Sequence, residues 1–320
     1  MLKNKYKNKL AVNVLAFIAL MTGFFVPILA HAYTGITIVI STPSSVNTEF
    51  IDNFKEELIS GKNTNLHVKV IELQVAEKLV VAENSELVIA LGVKALEAAS
   101  KLKHSTPVLG VFTPLPTYNT LLLSSRRVLG NFSAIVLDQP YRRRMSLIKT
   151  VMPNVKNLGI LLGPTSSQDS EFLKDLGEKY TLNILQENVN QESDLIPKLH
   201  KLLDSTDALM AIPDPLVYSR ETAQPILLTS YRHQKPVFGY SQSYVRSGAL
   251  AGVYSSTKQL AQQAAEIAVK SQQAPGFLPP PQTPKYFSVM INYQVARSLN
   301  FQLEDEDTIY KKMLVLEDVQ

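Results

Sequence analysis

Short apolar runs alternate with longer amphipathic ones along most of this 320-residue chain. The runs at 36–41, 66–73, 86–91, 107–112, 157–163, 181–186, 208–213 and 236–240 are rich in Val, Ile and Leu, and many are apolar on both faces. That is the pattern of parallel strands covered by helices. Between them, 48–60, 93–101, 141–151, 168–180, 192–204, 218–233 and 257–272 read as helices. In 192–204, Leu195, Ile196, Leu199, Leu202 and Leu203 recur at spacings of three and four, which makes one buried stripe. Strand–helix alternation of this kind predicts an α/β fold with right-handed crossovers.

The alternation occurs twice. Residues 33–112 read strand, helix, strand, helix, strand, helix, strand, and 157–240 repeat the order without repeating the residues. Two doubly wound, Rossmann-like lobes are expected, with a ligand cleft between them, because open α/β sheets bind ligands beyond the carboxyl ends of their strands. The stretch 113–138 contains Pro and reads as β-like, most clearly at 127–137. Pro275, Pro279, Pro280, Pro281 and Pro284 exclude a helix or a central strand from 275–284, which reads as a semi-rigid connector. A strand at 286–291 and a short helix at 292–299 follow, and the acidic end of the chain reads as a frayed or surface helix.

The N-terminus changes the picture of where the protein works. Lys3, Lys5, Lys7 and Lys9 precede an apolar run from Leu10 to Leu29, and Ala30-His31-Ala32 supplies a small-x-small site. This predicts a cleaved export signal over 1–32, a mature chain from Tyr33 and a periplasmic location. A retained anchor is the alternative, since about 20 apolar residues can span a bilayer. No Cys follows the run, which excludes a lipid-anchored lipoprotein. The chain has 32 Lys+Arg against 28 Asp+Glu, but four of the Lys lie in 1–32, which holds no acid, so the remainder is balanced. A nucleic-acid partner is therefore not expected. With no Cys at all, neither disulfides nor thiolate metal sites are possible.

Candidate chemistry is sparse. His67, His104, His200 and His233 are isolated, and neither a G-x-S-x-G turn nor a phosphate-cradling glycine loop is present. No enzyme activity, metal or cofactor is expected. The strand-end loops say more. Ser41 and Ser44 lie between the first strand and its helix, where hydroxyls and free N–H groups suit an anion or simply cap the helix. Gly92 and Thr113 end the next inner strands of the first series, and Ser166 and Asp214 end strands of the second. Asp214, between Pro213 and Pro215 and ahead of Tyr218, suits either a ligand ammonium or a helix cap. Tyr240 and Ser241 add an aromatic face and polar groups, the mixture small-molecule sites use. Arg142, Arg143 and Arg144 point three ways on a helix and read as a solvated face with one Arg buttressing a loop.

Several stretches together also resemble a known family. LIKTVMPNVKNLGILLG at 147–163, DALMAIPDPLVY at 207–218 and KPVFGYSQSYVRSGALAGVY at 235–254 are followed by a Gln-rich helix at 257–270 and SVMINYQVARSL at 288–299. In these the chain is similar to ABC-transporter substrate-binding proteins of the tryptophan/tyrosine type, within the type I periplasmic-binding fold. The segment at 127–134 keeps Gly130-Asn131 but lacks the Thr-Gly that often follows in that family. The resemblance implies reversible capture of a small-molecule ligand between lobes and hand-over to a membrane permease. A sensor of the same fold that docks a membrane signalling receptor is the alternative. Sugar sites commonly stack Trp, and the chain has none, which shifts the expected solute toward amino acids or other small zwitterions. The resemblance further implies crossings near Asp138, near Val245 and in 275–284. The lobes would then be 33–137 plus 247–274 and 138–246 plus 285–303, with 304–320 as a tail.

Overall fold

The computed structural model describes residues 35–61, 67–73, 82–273 and 277–318. The expected export signal, the start of the 66–73 run and part of the Pro-rich stretch lie outside them. Strands β1 (Ile36–Ile40), β2 (Val68–Glu72), β3 (Leu87–Leu91), β4 (Val108–Thr113) and β5 (Phe132–Val136) form a parallel sheet in the order β2-β1-β3-β4-β5. β1 and β3 are buried at every residue, as their unbroken aliphatic runs require once helices cover both faces. On one face, helix α1 (Ser45–Ser60) sets Phe50, Phe54 and Leu58 against Ile38, Ile89 and Leu109. On the other, α2 (Val93–Ser100) and α3 (Leu115–Ser124) bring Leu96, Ala99 and Tyr118 to Val88, Val108 and Phe132.

Helix α3 occupies part of the stretch that the sequence suggests is β-like. Pro116 sits in its first turn, where a missing N–H costs nothing. Tyr118 locks it down: the ring stacks on Phe132 at 5.4 Å between centroids, and the hydroxyl donates to the Phe132 carbonyl at 2.8 Å.

The second sheet has six strands: β6 (Asn157–Leu162), β7 (Asn183–Asn188), β8 (Ala208–Met210), β9 (Val237–Gly239), β10 (Ala251–Tyr254) and β11 (Ser288–Ile291). Their order is β11-β10-β9-β8-β6-β7, parallel except for the β10–β11 pair. Helices α4 (Tyr141–Val151), α5 (Ser170–Lys179), α6 (Glu192–Ser205), α7 (Arg220–Arg232) and α8 (Gln242–Arg246) belong to this half. The pairing of β10 with β9 moves the expected boundary near Val245 past Tyr254. What returns to the first sheet is helix α9 (Thr257–Gln273), whose Leu260, Ala264 and Ile267 pack in the core with Phe50 and Phe54.

Two further segments are held more closely than expected. The Pro-rich segment, read as a semi-rigid connector, is also anchored to the first sheet. It runs beside β5 at the sheet edge, where Gln282 accepts from Val136 N at 2.9 Å and donates to the Ala134 carbonyl at 2.8 Å. An edge position tolerates Pro279, Pro280 and Pro281, which have no N–H to offer a further strand. The tail, after α10 (Tyr293–Ser298), is helix α11 (Glu306–Asp318) packed on α4. Ile309 and Met313, one turn apart, are buried among Met145, Ile148 and Phe287. Glu306 accepts from Ile291 N at 2.8 Å, which ties the helix to β11.

Candidate functional site

The chain passes between the sheets at 137–140, 255–256 and 284–287. Side chains bind these passages to one another. Gln139 donates to Ser255 Oγ at 2.8 Å, and Ser255 Oγ donates to the Tyr286 carbonyl at 2.5 Å. Arg143, buried, donates to Gln139 Oε1 at 2.8 Å and to the Pro284 carbonyl at 2.9 Å, and its guanidinium lies 4.1 Å from the Phe287 ring centre. On the first-sheet side, Leu115 N donates to Asp138 Oδ2 at 2.7 Å.

Asp214 follows β8 and is only 3% exposed. Its Oδ2 accepts from Thr165 N, Ser166 N and Ser166 Oγ, each at 3.0 Å, and its Oδ1 accepts from Leu216 N at 3.0 Å and Val217 N at 3.3 Å. The carboxylate that the sequence offers to a ligand ammonium is thus already engaged by five donors. It latches the loop after β6 to the loop after β8. Gly163 makes the latch possible, since a Cβ there would lie 2.2 Å from Asp214 Oδ1. Ser166 belongs to the same latch, with Oγ also accepting from Gly163 N at 2.9 Å.

Beside the latch lies the group that sequence reasoning passed over. Arg144 is 4% exposed on the first turn of α4 and donates through Nη2 to the Ala211 carbonyl. Among the described residues no ion pair neutralises it. The groups that feel its charge are Tyr141, Tyr218, Asp138 and Tyr240, and burial pulls its own pKa down. Burial also raises the Asp138 carboxyl above its usual range, against the opposing pull of the Leu115 N–H and Arg144. Tyr141 orients by donating to Asp169 Oδ2 at 2.6 Å. Tyr218, Tyr240 and Tyr244 form an aromatic cluster, with centroids 6.0, 6.0 and 5.2 Å apart. The Tyr218 hydroxyl is buried with no hydrogen-bond partner among the described residues, and burial raises its pKa. Tyr240 donates to the Tyr218 carbonyl at 3.3 Å, and burial raises its pKa as well.

The other predicted residues are placed as follows. Ser241 caps α8 by accepting from Tyr244 N at 3.2 Å, and Ser44 caps α1 by accepting from Asn47 N at 3.1 Å. Ser44 therefore fills the plainer of its two roles, and Ser241 caps a helix, which the sequence did not suggest. Ser41 is half-buried after β1, and Thr113 is buried at the end of β4. Gly92 caps α2 with φ +87°, and nothing lies within 4 Å of where its Cβ would be, so the first sheet's edge is open there. Next to it, Phe112 takes a left-handed φ of +58° at a register shift in β4 and meets Phe50 edge-on at 5.4 Å. Bulges of this kind re-aim a side chain, and strained backbone clusters at functional sites. Ser166, Asp214, Tyr218 and Tyr240 are thus gathered on the second sheet, while Ser41, Gly92 and Thr113 line the edge of the first. Arg144, Asp138, Tyr141 and Phe112 join the set. The Arg triplet directly after a crossing reads from the sequence as a solvated face, but the packing of α4 instead buries Arg143 and Arg144.

Surface depressions lined by Lys174, Glu178 and Asn183, and by Lys149, Pro153 and Lys156, lie at the opposite, N-terminal end of β6 and β7. Among the described residues no group of three or more His, Cys, Asp or Glu is placed to hold a metal ion.

A family model described as ABC transporter substrate binding protein matches residues 30–312. The chain belongs to that family. Substrate-binding proteins of this type are binding proteins and not enzymes. Among solved structures, a ligand-free, open substrate-binding protein with adhesive properties from Clostridium difficile is 16% identical, with TM-score 0.65, covering 85% of this chain and 96% of its own. A Streptococcus pneumoniae ABC domain in complex with L-Trp is 17% identical, with TM-score 0.57 and coverage of 88% and 98%. A conserved domain protein from Vibrio cholerae is 19% identical, with TM-score 0.56 and coverage of 87% and 98%. At these identities the likeness establishes the two-lobed α/β fold. No curated protein matches the chain in sequence. No helix among the described residues is long and apolar enough to cross a membrane.

Proposed function

We propose that this substrate-binding protein captures a small carboxylate-bearing solute, an amino acid in the first instance, at the C-terminal edges of its two sheets. It then delivers the solute to an ABC permease. The observation that carries the reading is Arg144, a buried guanidinium with no ion-pair partner among the described residues. A buried cation needs a compensating anion or hydrogen bonds, and a planar guanidinium matches a carboxylate in two-point geometry. The tyrosines around it supply apolar area with polar tips, and Phe112 and Gly92 supply a partly open aromatic rim on the other sheet. That a relative of the same fold holds L-Trp supports an amino acid of some size. Export fits the reading: the mature chain is expected to start at Tyr33 in the periplasm, which N-terminal sequencing of the exported protein checks.

The test is mass spectrometry of ligand released from protein purified without refolding, followed by calorimetry with that ligand. Arg144→Gln should lower affinity by roughly tenfold to a hundredfold, from about 1.5–3 kcal/mol for a charge-assisted contact. Unchanged affinity in this variant, or a co-purified ligand without an acidic group, would overturn the carboxylate reading.

A further inference from the structure

His200 on α6 and His233 at the end of α7 are isolated in sequence, yet the packing of the two helices brings their rings together. His200 Nδ1 lies 2.8 Å from His233 Nε2, with ring centroids 5.0 Å apart and planes inclined by 53°. The other nitrogen of His233, Nδ1, lies 3.5 Å from Asp204 Oδ1. At that distance the carboxylate makes no hydrogen bond to the ring, but its charge favours the proton on Nδ1, with the Nε2 lone pair toward His200. Two imidazole nitrogens this close share a proton, or turn together to hold a cation to one side of the line between them.

We propose that His200 and His233 form a surface site for a divalent transition-metal ion, with Asp204 as the positioning carboxylate. Imidazole nitrogens bind such ions at about 2.0–2.1 Å. At that length two ligands at right angles are about 2.9 Å apart, and two at the tetrahedral angle about 3.3 Å. The observed 2.8 Å is that of a hydrogen-bonded pair, close enough that modest ring rotations bring both nitrogens within reach of one such ion. The rings now meet nearly head-on, so each must rotate to aim its lone pair at a common point. His200 is exposed and the His233 side chain is 25% exposed, which leaves room for that rotation and for waters in the remaining coordination positions. Of the neighbouring cations, Lys201 is already paired with Glu187 at 2.7 Å, while Arg232 directly precedes His233. A bound ion would staple α6 to α7 and uses no residue of the candidate ligand site.

Calorimetric titration of chelator-stripped protein carrying no histidine tag tests this with nickel(II), copper(II) and magnesium. Nickel(II) and copper(II) should bind one ion per chain, and magnesium should not. His200→Gln and His233→Gln should each abolish that binding. Asp204→Asn should weaken it by roughly 10- to 100-fold, and His104→Gln should leave it unchanged. Saturating nickel(II) should raise the Tm of the unsubstituted protein and not that of either His variant, with circular dichroism confirming that both are folded. Absence of binding would overturn the proposal and leave a plain hydrogen-bonded pair. So would binding that persists in either His variant.

Discussion

Replacing Asp214 with Asn separates a structural latch from a direct ligand contact. The carboxylate receives three donors on Oδ2 and two on Oδ1. An amide keeps one oxygen, and its best orientation leaves that oxygen facing Thr165 N, Ser166 N and Ser166 Oγ. Its NH2 then confronts Leu216 N and Val217 N, two donors against a donor. Val217 is buried and Leu216 half-buried, so water relieves the second better than the first. At about 1–3 kcal/mol for each stranded buried donor, the cost is roughly 2–4 kcal/mol. For a folded body of about 150–250 residues this lowers Tm by on the order of 10 °C. Gly163→Ala attacks the same latch sterically, through the 2.2 Å approach of its Cβ to Asp214 Oδ1, and should lower Tm by a similar amount. Thermal unfolding followed by circular dichroism, with calorimetry on the folded fraction, is the assay. If Asp214→Asn leaves Tm unchanged while ligand affinity falls tenfold or more, the latch reading is refuted and Asp214 contacts the ligand after all.

Helix α11 should prove integral to the second lobe. Ile309→Ala and Met313→Ala each empty a fully packed position and should cost about 2–4 kcal/mol in urea unfolding, whereas a frayed tail would give no change. Alkaline pH should destabilise the protein through Tyr118, whose pKa burial pushes up to about 12. The folded state then holds this proton more tightly than the unfolded state, whose phenol titrates near about 10. Stability is therefore full below about pH 10 and falls by about 1.4 kcal/mol per pH unit until the folded pKa is reached. Tyr118→Phe lowers stability at neutral pH by losing the hydrogen bond to the Phe132 carbonyl but should remove this share of the alkaline loss. Urea midpoints at about pH 9 and about pH 11, compared between the two proteins, check the sign.

Much of the fold was legible because its signals are local. Aliphatic runs such as 36–41 and 86–91 can only be covered strands, and the Leu stripe of 192–204 fixes one helix face. The missed elements carried weak or conflicting local signals. Leu115–Ser124 opens with two prolines nearby and is held as a helix by Tyr118, a tertiary contact. Ala251–Tyr254 is too short to stand out from the Gly-containing stretch around it, and its sheet is decided by pairing with β9 and β11. The site was legible only as loops. Strand ends pointed to Ser166, Asp214, Tyr218 and Tyr240 one by one, but not to their contacts or to what each does. Whether a carboxylate is free or filled depends on donors 48 and 49 residues away. Arg143 and Arg144 look like surface charge until the packing of α4 buries them.

That burial joins the proposed binding edge to the crossings. Within the short segment 138–144, Asp138 takes the Leu115 N–H from the first sheet's side, Gln139 takes Ser255, and Arg143 takes Pro284. Arg144, the next residue on the same helical turn, reaches the loop after β8. A ligand carboxylate drawn to Arg144 would therefore pull on a helix start already tied to all three passages between the sheets. The two adjacent arginines are not redundant. One is held by backbone carbonyl and amide oxygens and fixes the joint, while the other lacks an anionic partner among the described residues. A guanidinium held rigidly but left without its anion is pre-organised for one, since the ordering cost has been met in folding and not on binding.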